Sequence, residues 1–176
     1  MKKVLMLGDS ITHGTDWSQF IDFAQVQNFA VPGYSTDDVE RQLPGINFSD
    51  FDAVSLLIGT NDFGNPEIDR DGIDVGLRVK TIALSITASG VPLVLHHILP
   101  RGPQFSARIR DANIMIAGVE MEHEQISVVN SWPTLSRDDY LQPKYLLNDG
   151  FDVHLNEDGY RVWAVDVVAS LQQLLM

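Results

Sequence analysis

Serine, histidine and aspartate are the side chains with which a protein lacking cysteine can open an ester, and this chain carries them near its two ends. Near the start, Leu7-Gly8-Asp9-Ser10-Ile11-Thr12 follows the apolar run Val4 to Leu7, so the Ser10 hydroxyl stands where a buried strand gives way to a turn. A serine there is either a nucleophile or a helix N-cap, and the position suits both. The surroundings differ from a Gly-x-Ser-x-Gly elbow, because Thr12 stands where the second glycine would be. Near the other end, Asn148-Asp149-Gly150-Phe151-Asp152-Val153-His154-Leu155-Asn156 sets a histidine close to two carboxylates. A base must take the serine proton, and a carboxylate on the other ring nitrogen fixes the tautomer and stabilises the imidazolium.

Two further residues have the chemistry to hold a developing oxyanion. Gly33, in Val31-Pro32-Gly33-Tyr34, can present a bare backbone N–H, though a turn glycine reads the same way. Asn61, in Ile58-Gly59-Thr60-Asn61-Asp62, offers a side-chain amide, against the common alternative of a turn asparagine. Other polar residues carry weaker signals. His96 and His97 are neighbours on one apolar run and must face opposite ways, with no third ligand at recognisable spacing, so no metal or other cofactor is implied. His13 reads as a local polar contact and Asp9 as a turn anchor; Trp132 and Trp163 read as core or helix docking.

The elements that must position these groups are written in the apolar pattern. Short runs at Val4 to Leu7, Gln25 to Val31, Ala53 to Ile58, Pro92 to Ile98 and Ile126 to Val129 read as five strands. Helical spacing occupies Trp17 to Phe23, Asp37 to Leu43, Val75 to Ser89, Ser106 to Glu124 and Glu157 to Leu175. Strand and helix alternate, which implies an α/β fold: right-handed crossovers onto a five-stranded, mostly parallel sheet covered on both faces, a three-layer α/β/α sandwich of flavodoxin-like type. Ligands of such sheets bind outside the carboxyl ends of the strands, and Ser10, Gly33 and Asn61 all fall there.

At 176 residues the chain has room for one domain, 1–176. A hydrophobic share of 44% with 20% charged residues is the balance of a soluble globular protein. Acids outnumber bases 24 to 12, and a net charge of −12 argues against nucleic acid or an anionic membrane surface as partner. There is no cysteine, no stretch long enough to span a bilayer and no signal-peptide hydrophobic region, so a cytoplasmic protein acting on a small molecule is the default. A homo-oligomer is compatible with these residues, which do not fix the assembly state.

Gly8-Asp9-Ser10, Gly33, Gly59-Thr60-Asn61-Asp62 and the Asp/His segment resemble, in order, the four sequence blocks of GDSL/SGNH hydrolases, and the match spans nearly the whole chain. The stretch Ile98-Leu99-Pro100-Arg101-Gly102 is similar to the platelet-activating-factor acetylhydrolase branch of that family. The resemblance implies that Ser10 attacks an ester carbonyl, that His154 is its base, and that the Ser10 N–H, the Gly33 N–H and Asn61 hold the oxyanion. The family's acid stands three residues before the histidine, where this chain has Phe151. Asp152 is two before and Asp149 five before; a short extended step keeping both side chains on one side favours Asp152, with Asp149 as the alternative. The activity implied is hydrolysis of small acyl esters, acetate foremost, on alcohols that include sugars. Lysophospholipids and thioesters suit the same site, and a silent flavodoxin-like binding module is the reading from another class.

Overall fold

The computed structural model describes residues 1–176. A central parallel strand is covered on both faces and must be apolar on both. Strand β1 (Lys2–Gly8) meets that demand, with Val4 and Met6 in one core and Leu5 and Leu7 in the other. It lies inside a five-stranded parallel sheet with β2 (Ala24–Asn28), β3 (Ala53–Leu57), β4 (Leu93–His96) and β5 (Ile126–Val129), in the order β2-β1-β3-β4-β5. Because β2 and β3 flank β1, the connections leave it in opposite directions. The crevice opens at that switch point, beyond the carboxyl end of β1.

One face is covered by α2 (Thr36–Gln42), α3 (Gly72–Thr87) and α4 (Ser106–Glu122). Val75, Val79, Ile82 and Ile86 form the inward stripe of α3, and Ile109, Ala112, Ile116 and Val119 that of α4, at the three- and four-residue steps a helix face requires. The other face is covered by α6 (Glu157–Leu175), which seats Trp163, Val167 and Leu171 on Val4, Met6 and Val94. Burying each large apolar side chain contributes about 1.5–3 kcal/mol. Helix ends carry their own stops: Asp71 accepts from Asp74 N–H at the start of α3, and Asn156 accepts from Gly159 N–H at the start of α6.

The alternating three-layer reading is borne out, with local corrections. Trp17 to Phe23 is no helix but a single 3-10 turn, Trp17–Gln19, capped by Asp16. Its apolar residues serve a plug: Trp17 is buried, donates its indole N–H to Thr12 O at 2.8 Å and packs edge-on against Trp163 at 5.0 Å. Three short elements without a sequence period also appear. They are α1 (Ser10–His13), α5 (Trp132–Leu135) and the hairpin β6 (Ser136–Arg137)/β7 (Tyr140–Leu141), whose turn sets Asp138 and Asp139 both at positive φ. No helix is long and apolar enough to cross a membrane.

Candidate active site

Ser10 is the first residue of α1, two residues past the end of β1. Asp9 caps the helix, accepting Ile11 N–H at 2.9 Å, so the nucleophile and cap readings divide between neighbours: Asp9 caps, and the Ser10 hydroxyl is left for other work. That hydroxyl lies 3.0 Å from His154 Nε2, across 144 residues of chain. On the far side of the ring, His154 Nδ1 lies 2.6 Å from Asp149 Oδ2. An ionised carboxylate only accepts, so the proton of neutral imidazole sits on Nδ1 and the Nε2 lone pair faces Ser10. The hydrogen bond from His154 holds the Asp149 carboxyl below the usual carboxylate range. The ring's position is fixed through its backbone: Leu147 N–H donates to His154 O at 2.8 Å, and Asn156, the cap of α6, ties the next turn to Lys144 O.

The preference for Asp152 as the acid beside His154 is corrected by this geometry. Gly150, at φ 89°, reverses the chain immediately after Asp149 and folds the five-residue spacing back on itself. Asp149 is thereby returned to the imidazole, while Asp152 points the other way. There it accepts from Arg101 at 2.8 and 3.2 Å and from Gln104 at 2.7 Å. Phe151, where the family places its acid, stands with its ring 5.2 Å from that of His154.

The two other expected contributors come to the same sheet edge. Gly33 sits in an exposed turn beyond β2 at φ 83°, a left-handed conformation that a side chain resists. Asn61 follows β3 and donates through Nδ2 to Tyr34 O at 2.9 Å. An amide NH₂ has two hydrogens, so this bond aims the group and leaves the second hydrogen for a ligand. Next to it, Asp62 is fully buried and accepts from Thr36 N–H (3.0 Å), Thr36 Oγ (2.6 Å) and Arg70 (2.7 Å), which locks the Gly33 loop to the Asn61 loop. Asn61→Ala is expected to lower kcat by about 10²- to 10³-fold with little change in KM, the loss typical of one oxyanion donor. Steady-state kinetics on p-nitrophenyl acetate check it; a pure KM effect would remove Asn61 from this role.

A model of the GDSL-like lipase/acylhydrolase family matches residues 6–162. The chain belongs to this family. It is accordingly a hydrolase of the esterase and acylhydrolase class. Its fold is similar to that of a GDSL-like lipase from Bacteroides thetaiotaomicron, with TM-score 0.76 and 18% identity over 98% of this chain and 88% of the other. It is also similar to a carbohydrate esterase family 3 protein from Talaromyces cellulolyticus, with TM-score 0.76 and 21% identity over 99% and 98%. A third is an acetyl esterase mutant crystallised with an acetate ion, with TM-score 0.72 and 19% identity over 99% and 98%. No curated protein sequence matches this one.

Around the family's serine, this GDSL hydrolase buries several ionisable groups. Asp9 is completely enclosed, its Oδ2 has no partner in the chain, and burial raises its pKa to about 7. Burial, with Asp9 adding to it, also pushes the Tyr160 phenol up, and that hydroxyl donates to Ile11 O at 2.8 Å. His96 is neutral, with a pKa lowered to about 3 by burial; it meets Ser55 Oγ at 2.9 Å and the edge of Trp163, inside the core. His13 contacts Ala30 O at 3.1 Å, the local polar contact expected of it.

Asp9 makes stability pH-dependent in a definite direction. Its carboxyl ionises at 3.8 when free and at about 7 when folded, so between those values the native state keeps a proton that the unfolded chain has lost. Stability therefore falls as pH rises through this window, and the cost, of order a few kcal/mol, is complete above it. Asp9→Asn keeps the acceptor for Ile11 N–H and removes the charge. It is expected to raise the Tm over wild type at about pH 8 and to lose that advantage near pH 4. Thermal unfolding at both values checks this, and a pH-independent difference would contradict it.

Proposed function

We propose that this GDSL hydrolase is a serine esterase that removes small acyl groups, acetate foremost, from alcohols that include sugars. The observation that carries the reading is the continuous line Ser10 Oγ, His154 Nε2, His154 Nδ1, Asp149 Oδ2, with steps of 3.0 and 2.6 Å outside the ring. Along it the Ser10 proton passes to Nε2 as Oγ bonds to the ester carbon, and Asp149 stabilises the imidazolium that results. The carbonyl oxygen becomes an oxyanion facing the Ser10 N–H, the Gly33 N–H and the free Asn61 hydrogen. His154 returns the proton to the departing alcohol, leaving an acyl-serine. Water then enters by the same route and gives up a proton to Nε2 as its oxygen bonds to the acyl carbon; Nε2 passes that proton to Ser10 Oγ as the acyl–Oγ bond breaks, which releases the acid and restores the serine.

The small acyl group is supported by the size of the chain: with 176 residues there is little material for a long lid or a deep acyl tunnel. The similar folds of a carbohydrate esterase and an acetyl esterase point the same way. The test is a p-nitrophenyl ester series from acetate to decanoate. Acetate should be cleaved best, with rates falling as the chain lengthens. Folded protein that cleaves none of them, or prefers decanoate, would overturn the small-acyl reading.

A further inference from the structure

Arg101 belongs to no step of that mechanism, yet it touches both loops that carry the site. It lies beyond β4, in the Leu-Pro-Arg-Gly stretch, with a side chain only 14% exposed. Its Nη1 donates to Thr60 O at 3.1 Å and Phe63 O at 3.4 Å, the backbone on either side of Asn61. Its Nη2 and Nε donate to Asp152 Oδ1 at 2.8 and 3.2 Å, two residues before His154. The Phe105 ring lies beneath the guanidinium at 3.9 Å, and Gln104 holds the second oxygen of Asp152 at 2.7 Å. A side chain at Gly102 would run into that same oxygen, so the approach requires glycine there.

We infer that Arg101 and Asp152 are positioning residues: one planar guanidinium fixes the distance between the Asn61 loop and the His154 loop, and hence between the oxyanion donors and the base. Arginine suits this task because its donors form a rigid fork, which a lysine ammonium lacks. Removing one partner of a pair this little exposed is itself strongly destabilising, because the other charge is left unpaired, so Tm does not report the role. Misplacing a catalytic group by about 1 Å costs roughly 10²-fold in rate. The rate of folded protein, measured well below the Tm of each variant, is what reports the bridge.

The inference rests on the esterase reading, and the experiment separates the two. In folded Arg101→Met and Asp152→Asn, assayed well below their Tm, kcat on p-nitrophenyl acetate should fall by about 10- to 10²-fold, with KM within about twofold. Arg101→Lys should recover part of the loss, and the double variant should be no slower than the slower single one. A second readout needs no turnover: the low-field proton resonance of the His154–Asp149 hydrogen bond should be sharp in wild type and broadened in both single variants. Folded variants that keep wild-type kcat, or that keep a sharp resonance, overturn the positioning role. A wild type without esterase activity defeats the esterase reading, and the resonance still decides whether the bridge holds His154.

Discussion

Ser10→Ala should reduce kcat by about 10⁶-fold, to the residue of catalysis that binding and oxyanion stabilisation supply alone. Alanine removes the only atom 3.0 Å from His154 Nε2 that can become the acyl carrier, and no second hydroxyl stands at that nitrogen. Folding should be untouched, since the cap of α1 is Asp9 and the Ser10 hydroxyl makes no other bond. KM should change little, because the lost interaction exists in the transition state and the covalent intermediate rather than in the bound ester. The clean check is paired: kinetics on p-nitrophenyl acetate, and mass spectrometry after treatment with a serine-directed organophosphonate. Wild type should take one label, on Ser10, and the variant none. Retention of a tenth of the activity, or a label elsewhere, would move the nucleophile off Ser10.

Asp149→Asn should be the next most damaging change, lowering kcat by about 10⁴-fold. Asparagine keeps the shape but can present an N–H to the imidazole, which turns the proton to Nε2 and leaves Ser10 facing a donor instead of a base. Asp152→Asn should cost at least tenfold less than this, since its carboxylate reaches His154 only through Arg101 and the backbone. Side-by-side kcat values decide between the two aspartates. If Asp152→Asn proves the worse, the short Asp149 contact is not the one that orients the ring.

The sheet was legible because central parallel strands are apolar on both faces, and a run such as Val4 to Leu7, ended by Gly8-Asp9, has few other readings. Ser10, Gly33 and Asn61 were legible as a group because the sheet brings strand ends together whatever lies between them. The acid was not legible from spacing. An extended chain puts residues two apart on one side, and that argument favours Asp152; the left-handed turn at Gly150 removes its premise. Asp-Gly in the sequence was the available sign of such a turn. Trp17 to Phe23 misled for a related reason, since its apolar residues sit at helical steps but serve a plug against Trp163. Arg101 entered the sequence reading only within the Ile98 to Gly102 resemblance and with no role, because spacing does not reveal the carbonyls of Thr60 and Phe63 beside it.

The serine and the histidine enter the chain 144 residues apart, and the helix that follows the histidine covers the face of β1 that carries Val4 and Met6. During synthesis the ribosome therefore delivers Ser10 well before His154. A nascent chain that has not yet released α6 has an unroofed sheet and a serine with nothing to take its proton. Such a chain lacks the Ser10–His154 contact, however much of the remaining sheet has formed. Pairing of the two side chains therefore waits until the segment beyond β5 has left the ribosome and folded onto the sheet.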